Sequence, residues 1–313
     1  MMKYCILLAV ITGVAGLEAA TPAPSPDKKE ELGKLLFFDP ILSKNYKISC
    51  ATCHKPRFAF ADSAALSKGV KGKKGTRNTP TAMNIALSKT FFWDGRSSTL
   101  EQQALEPIQN PNEMNLSIEE AVQRLKKHER YNQYFKKIFG SGPTKENLAI
   151  AIASFERILE TSDSPFDKWK FSDDPKAVSD AVKRGFAVFN TKGNCVKCHF
   201  GADFTAQEFR NVGLFNGRTL NDSGRARITN DPKDVGRFKT SSLRNIAITA
   251  PYMHNGMFHS LDEVIEFYND TKKIVPDAIN KDSLLVEPLG LTKQEKKDLK
   301  AFLNSLTDKR FKK

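Results

Sequence analysis

Apolar residues recur along this chain at the three- and four-residue spacing of amphipathic helices, and alternation typical of strands is scarce. Over residues 27–38, for example, Leu32, Leu35 and Leu36 fall on one helical face. The same spacing predicts further helices over residues 100–107, 117–139, 144–159, 261–268 and 291–306. The last of these has Thr292 as a possible N-terminal cap. The pattern predicts an all-α fold.

Two segments between these helices are rich in turn-forming residues. The Gly- and Lys-rich stretch 66–77 (LSKGVKGKKGTR) predicts an exposed loop. The stretch 161–175 (TSDSPFDKWKFSDDP) predicts a boundary between two domains. We therefore predict an N-terminal domain over residues 21–165 and a C-terminal domain over residues 166–313.

The first twenty residues have the outline of a secretory signal peptide. Lys3 precedes an apolar stretch of residues 4–17, which is followed by small residues and is too short for a stable membrane span. Glu18 leaves the cleavage site undefined, and an uncleaved anchor is the alternative. We predict a signal peptide over residues 1–20, export to the periplasm and no integral membrane domain after cleavage. Residues 21–26 (TPAPSP) predict an extended linker.

Composition excludes several classes of protein. Hydrophobic residues make up 40% of the chain and 22 residues are Phe, which excludes a largely disordered chain. Five cysteines in 313 residues exclude a disulfide-rich scaffold. The formal net charge is +13, from 49 Lys and Arg against 36 Asp and Glu. The Lys residues are dispersed over predicted helices of an exported chain, so no nucleic-acid partner is expected.

Four cysteines form two pairs, each followed directly by a histidine: CATCH at residues 50–54 and CVKCH at residues 195–199. This CxxCH spacing is the attachment motif of c-type haem. A four-cysteine zinc site would not require the histidines, a thioredoxin-like site would need one pair, and disulfides at this spacing are uncommon. We predict two covalently bound haem c groups. Their thioether ligands would be Cys50, Cys53, Cys195 and Cys198, and their proximal iron ligands His54 and His199.

The chain also contains an internal repeat. Residues 83–101 (MNIALSKTFFWDGRSSTLE) align without a gap with residues 244–262 (RNIAITAPYMHNGMFHSLD) at a constant offset of 161. The repeat predicts two similar, cytochrome c-like haem domains. At the same offset Tyr268 lies opposite Pro107. A tyrosine can ligate iron and a proline cannot, so this position predicts a six-coordinate second haem and an open first haem.

Three longer strings accompany the two haem motifs: RNTPTAMN, FFWDGRSSTLEQQALEPIQNPNEM and LRNIAITAPYMHNGMF. Together they make the chain similar to the bacterial di-haem cytochrome c peroxidase family, which includes a MauG-like branch. The resemblance implies that one haem reacts with hydrogen peroxide, that the other handles electrons and that a calcium ion lies between them.

The resemblance also implies roles for individual residues. Glu113, in NPNEM, matches the distal carboxylate that would act as general base on bound peroxide. Gln103 and Pro107 match its neighbours in the distal pocket, and Trp93 matches a tryptophan that relays electrons between the haems. The implied calcium ligands are Asn78 and the backbones of Thr249 and Pro251, whose neutral oxygens suit Ca²⁺.

The sequence departs from classical family members in two places. Those members carry a Met at the position of Tyr268, and often a distal His in the loop before RNTPT, where this chain has Lys and Gly. Both departures indicate the MauG-like branch, which needs no reductive activation. Tyr268 is thus the predicted distal ligand of the second haem. Met253 and Met257 are the alternatives, although the repeat places Met253 opposite Phe92.

Three functions are compatible with these residues. The first is reduction of hydrogen peroxide to water with electrons from a small periplasmic cytochrome c or cupredoxin, and the positive charge would steer an acidic donor. The second is MauG-like oxidation of Trp or Tyr residues on a partner protein through a high-valent di-haem state. Tyr268 favours it, but residues 185–194 offer no Trp or Tyr as a relay. The third is a non-catalytic di-haem electron carrier, against which Glu113 and an open haem argue.

Overall fold

The computed structural model describes residues 26–311. The predicted signal peptide and linker residues 21–25 lie outside the described residues. Helices supply most of the regular structure, in agreement with the helical periodicity of the sequence. They are α1 Lys29–Phe38, α2 Cys50–Cys53, α3 Leu100–Gln109, α4 Ile118–Lys127, α5 Glu129–Phe139, α6 Lys145–Arg157, α7 Pro165–Phe171, α8 Asp180–Asn190, α9 Ala226–Thr229, α10 Leu261–Asn269, α11 Thr271–Ile274 and α12 Lys293–Ser305.

A two-stranded antiparallel sheet is formed by β1 Phe209–Arg210 and β2 Phe238–Lys239, with Phe209 opposite Lys239. Several helices begin at residues whose side chains accept a hydrogen bond from the first turn. Thr99 caps α3 and Ser260 caps α10, 161 positions later. Thr292 caps α12 as predicted, and Glu295 completes the capping box. Between residues 26 and 311, no helix is both long and apolar enough to cross a membrane.

Two large clusters of buried apolar side chains divide the chain. One is built from residues between Leu32 and Leu159, the other from residues between Phe166 and Leu306. In the first cluster α1 crosses α6, and in the second α8 crosses α12. Both crossings are close because a glycine lies at the contact. A Cβ atom on Gly33 would overlap the backbone of Ala151, and one on Gly185 would overlap the backbone of Asp298.

The two repeated segments adopt the same local conformation. Residues 91 and 97 form an isolated antiparallel bridge, and residues 252 and 258, each 161 positions later, form another. Inside these bridges Gly95 has a φ of 68° and Gly256 a φ of 66°. Positive φ values are accessible to glycine at little steric cost, which explains why both segments have glycine at this point.

Two predicted elements differ from the structure. The helix predicted over residues 117–139 is interrupted at exposed His128, whose extended ψ of 105° ends α4 and begins α5. The predicted boundary segment 161–175 contains the short helix α7. Ser164 and Asp167 form a capping box that stabilises the start of this helix. The turn-forming residues of the segment did not predict it.

The segment 66–77 is a loop, as predicted, but it is not wholly exposed. Gly69 and Val70 are buried, and the backbone N–H of Val70 donates to the carbonyl of Glu113 at 2.7 Å. Gly69 allows this approach because a Cβ atom there would overlap the backbone of Asn112 and Glu113. The loop therefore packs against the NPNEM segment.

Candidate active site

Each CxxCH motif lines its own cavity. The first cavity has a volume of about 270 Å³ and the second a volume of about 240 Å³. The motif residues that line them are Cys50, Cys53 and His54 in the first cavity and Cys195, Cys198 and His199 in the second. None of these four cysteines forms a disulfide. The motifs thus bring two thiols and one imidazole to the wall of each cavity.

Local backbone structure fixes the spacing within each motif. The first motif forms the helical turn α2, and the second forms a 3-10 turn over Cys195–Lys197. In both, the backbone N–H of the histidine donates to the carbonyl of the first cysteine, at 2.9 Å in the first motif and 2.8 Å in the second. Burial raises the pKa of all four thiols, that of Cys195 to about 12, so the cysteines are protonated.

The two histidines are held in the same way. The Nδ1 atom of His54 lies 2.9 Å from the carbonyl oxygen of Phe60, and that of His199 lies 2.9 Å from the carbonyl oxygen of Phe204. Burial lowers the pKa of both imidazoles, which keeps them neutral. Engagement of Nδ1 leaves Nε2 as the atom that can bind a metal. Neutral imidazole beside paired free thiols fits the donor set of haem c in both cavities.

The first cavity also contains the predicted distal residues. Gln103 and Pro107, from α3, and Glu113, from the loop that follows, all line it. The Oε1 atom of Gln103 is buried without a hydrogen-bond partner in the described protein. The Glu113 carboxylate accepts a hydrogen bond from Asn110 Nδ2 at 2.8 Å. Burial raises the pKa of Glu113 above its usual value, partly offset by the positive charge of Arg96 and by Asn110.

The second cavity is lined by a different set of candidate ligands. Tyr268, on α10, lines it, and burial together with the nearby thiols raises the pKa of its phenol. Met253 lines the cavity as well, whereas Met257 is not among the described residues that do. His254 stacks on Phe238 at 3.7 Å between ring centroids, and burial lowers its pKa to about 4. Of the two methionine alternatives, the structure brings only Met253 to the cavity.

Trp93 lies in a wall that the two cavities share. Both are lined by Trp93 and by residues 78–81 and 239–242. The indole Nε1 donates to the carbonyl of Asn78 at 2.8 Å. The N–H of Asn78 in turn donates to the carbonyl of His254 at 2.7 Å. The indole is therefore fixed between the two candidate haem sites.

The predicted calcium ligands Asn78, Thr249 and Pro251 all line the second cavity. The Asn78 Nδ2 atom donates to the carbonyls of Ala64 and Ala65, at 3.3 Å and 3.2 Å. Within residues 26–311 no group of three His, Cys, Asp or Glu side chains could hold a metal ion. A calcium site built on neutral oxygens stays a prediction.

Sequence reasoning missed two charged residues that line the cavities. Glu156, on α6, is 5% exposed, its Oε2 atom has no hydrogen-bond partner in the described protein, and burial raises its pKa to about 8. A signal was available, because Glu156 falls four residues after Ile152 on an otherwise apolar face. Lys239 lines both cavities. It lies 161 positions after Asn78, just outside the aligned repeat segments, so the repeat did not identify it.

Comparison with known proteins gives one consistent result. The family model for di-haem cytochrome c peroxidase matches residues 27–175. Methylamine utilization protein MauG of Methylorubrum extorquens is 38% identical, over 90% of this chain and 79% of that protein. Cytochrome c551 peroxidase of Nitrosomonas europaea is 37% identical, over 83% of this chain and 78% of that protein.

Among solved structures, a MauG-like protein associated with microbial copper homeostasis superposes with a TM-score of 0.84. It is 33% identical, and the match covers 91% of each chain. The matches agree with the two CxxCH-lined cavities. The chain belongs to the di-haem cytochrome c peroxidase family and is a peroxidase-type oxidoreductase.

Proposed function

We propose that this protein is a periplasmic di-haem c peroxidase, which reduces hydrogen peroxide to water with electrons from a small cytochrome c or cupredoxin. One observation carries the proposal. The first cavity combines a CxxCH motif with a carboxyl group of raised pKa and with an unpaired amide oxygen, at Glu113 and Gln103. Polar groups that are buried without a partner are rare and indicate a missing ligand.

The chain's own residues would hold the two haems. Cys50 and Cys53 would form the thioethers of the first haem, with His54 as its iron ligand. Cys195, Cys198 and His199 would do the same for the second, with Tyr268 as its distal ligand. When bound, haem iron supplies the redox chemistry that splits the peroxide O–O bond. The N-terminal domain, residues 21–165, would be peroxidatic and the C-terminal domain, residues 166–313, would transfer electrons.

Glu113 would move the proton. A carboxyl whose pKa is raised by burial accepts a proton from hydrogen peroxide and returns it to the leaving oxygen more readily than a solvated one. Gln103 would orient the peroxide through its free Oε1, which can accept a hydrogen bond. Pro107 offers no group that could bind the iron, so that face of the first site stays available for substrate.

Trp93 would connect the two sites. Its indole lines both cavities and is held at Nε1 by the carbonyl of Asn78. A calcium ion bound by Asn78 and by the backbone oxygens of Thr249 and Pro251 would stabilise the same wall. The roles of Trp93 and of the calcium ligands assume that the N- and C-terminal domains are related haem domains. The antiparallel bridges between residues 91 and 97 and between residues 252 and 258 support this relationship.

A second function is oxidation of Trp or Tyr residues on a partner protein. The observation that favours it is that Tyr268 lines the second cavity together with Cys195 and Cys198. Tyrosine is a known haem ligand, and as phenolate it favours oxidised iron. That preference would make electron uptake from an ordinary cytochrome harder. The protein would then draw its electrons from the partner's aromatic side chains.

The test adds stoichiometric hydrogen peroxide to the oxidised holoprotein, and to holoprotein carrying one added electron, while the haem spectrum is recorded. Turnover with a reduced cytochrome c or cupredoxin is measured in parallel. Glu113→Gln is compared with Glu119→Gln, which removes an exposed carboxyl on α4. We expect peroxide to be consumed, and only Glu113→Gln to be impaired.

The outcomes separate the candidates. Consumption of peroxide with turnover of the small donor supports the proposed peroxidase. A rapid reaction of the fully oxidised protein, with no turnover of small donors, supports oxidation of a partner protein. No reaction in either redox state would overturn both and leave a non-catalytic electron carrier.

A further inference from the structure

Lys239 lies at the point where the two cavities meet. It is the second residue of β2 and lines both of them. Its backbone N–H donates to the carbonyl of Trp93 at 2.8 Å, so its position is tied to the indole between the two sites. No step of the proposed reaction uses this lysine.

The ammonium group has unused hydrogen-bonding capacity. Lys239 Nζ donates to the carbonyl of Thr90 at 2.6 Å and lies 5.7 Å from the ring centroid of Phe91. Within residues 26–311, the Thr90 carbonyl is the one hydrogen-bond acceptor that Nζ contacts. A lysine ammonium carries three N–H donors. Two donors are therefore available to a group that the chain does not supply.

The charge of Lys239 is also unbalanced. Three cationic side chains line the first cavity: Arg77, Arg96 and Lys239. Arg77 forms ion pairs with Asp94 and Asp222, and Arg96 with Asp94 and Glu106. Lys239 forms no ion pair with any residue between 26 and 311, and burial lowers its pKa to about 8.

Lys239 is partly buried, and cations that are removed from water in proteins are normally paired. The missing partner is an anion that enters the cavity and accepts hydrogen bonds. Haem carries two propionate carboxylates, and a charge-assisted bond between ammonium and carboxylate is among the strongest that proteins use. Haem propionate thus meets both requirements.

We propose that Lys239 binds a propionate of the haem in the first cavity, an inference that rests on the proposed attachment of haem to Cys50 and Cys53. The first site is favoured because Nζ points towards Thr90 and Phe91, and the Phe91 ring lines the first cavity. In the second cavity the cation besides Lys239 is Arg210, which pairs with Asp282 and Glu208.

This contact has an electrostatic consequence. An ammonium group close to a haem favours the state of lower positive charge, which is the ferrous one. Lys239 would therefore raise the reduction potential of the first haem relative to a protein without this charge. The backbone N–H of Lys239 is hydrogen-bonded to the carbonyl of Trp93. The charge of Lys239 would therefore also act on the proposed electron transfer through Trp93.

The experiment uses the full-length holoprotein with Lys239→Leu, which removes the charge, and Lys239→Arg, which keeps it. Lys89→Leu is the matched control, since Lys89 adjoins Thr90 in the chain and is exposed. Resonance Raman spectroscopy reports the bending mode of the propionates, which responds to hydrogen bonding. A potentiometric titration followed by electron paramagnetic resonance reports the two haem potentials separately.

We expect Lys239→Leu to shift a propionate mode and to lower the potential of the first haem, while Lys239→Arg and Lys89→Leu resemble the unmodified protein. If Lys239→Leu does not fold, Lys239→Gln provides the same comparison with a smaller change in polarity. Unchanged propionate modes in folded, haem-containing Lys239→Leu or Lys239→Gln would overturn the inference. Absence of covalent haem from the unmodified protein would instead overturn the proposed function.

Discussion

The two cavities share a wall and a pattern of cysteine and histidine placement, but differ in the other residues that line them. In both, a CxxCH turn presents two thiols and a histidine whose Nδ1 is bonded to a backbone carbonyl. The first cavity is also lined by the polar side chains of Gln103 and Glu113, and the second by Tyr268.

The difference between Pro107 and Tyr268 arises at equivalent positions of α3 and α10. Both α3 and α10 begin after a capping hydroxyl residue, Thr99 or Ser260, and 161 positions separate the two caps. Eight residues after the cap, α3 has Pro107 and α10 has Tyr268. At this position the first cavity therefore has a proline, which cannot ligate iron, and the second has a tyrosine, which can.

A second difference between the cavities occurs on α6 and α12. A Cβ on Gly33 would approach Phe155 in the α1–α6 crossing, and one on Gly185 would approach Phe302 in the α8–α12 crossing. The residue that follows each Phe lines its cavity: Glu156 in the first and Leu303 in the second. The first site therefore keeps a buried carboxyl where the second has an aliphatic side chain.

The largest expected effect is that of Glu113→Gln on the first site. Removing a general base slows a reaction by about 10²–10⁴-fold, and the amide keeps the size of the side chain. Stopped-flow measurement of the reaction with peroxide checks this. The absorption spectra of both haems should remain unchanged, and peroxide consumption at the original rate would contradict the assignment of Glu113.

Tyr268→Phe tests the proposed ligand in the second cavity. Loss of the hydroxyl should change the electron paramagnetic resonance signal of the second haem and leave that of the first unaltered, because Tyr268 lines the second cavity. Met253→Leu is the control, since Met253 lines the same cavity. If the signal changes in Met253→Leu and not in Tyr268→Phe, the methionine is the ligand.

Gly33→Ala and Gly185→Ala compare the two helix crossings. Each added methyl group would overlap backbone atoms of the facing helix, so each variant should lose about 1–3 kcal/mol of unfolding free energy. Chemical denaturation of the holoprotein measures the loss. Gly140→Ala measures the cost of placing an alanine at a positive φ without steric overlap. Gly140 has open space around it and a φ of 71°. A loss at Gly33 much larger than that at Gly185 would show that the crossings are not equivalent.

Glu156 provides a pH-dependent test of the first cavity. Burial raises the pKa of this carboxyl from 4.5 to about 8. Between these values the unfolded chain is ionised while the folded protein keeps the proton, so the contribution of Glu156 to stability falls as pH rises. Glu156→Gln should therefore gain stability relative to the unmodified protein between about pH 5 and about pH 9. Denaturation curves at both pH values check this, and a constant difference would contradict it.

The repeated features were the most predictable part of this molecule. Two haem motifs and a gap-free repeat specified paired sites, and apolar periodicity located most long helices within a few residues. The break at His128 escaped detection because apolar spacing continues through it. Lys239 escaped because its burial depends on packing between segments that lie about 150 residues apart, such as its bond to the Thr90 carbonyl. The residues next to Lys239 in the sequence do not indicate such contacts.

The burial of the cysteines sets an order of events in biosynthesis. Because their pKa values are raised, the thiols of the folded chain are almost entirely protonated and are poor nucleophiles. Both pairs line the two cavities, and each cysteine keeps part of its surface accessible. We therefore expect covalent attachment of haem to precede the final packing of the chain around the two cavities.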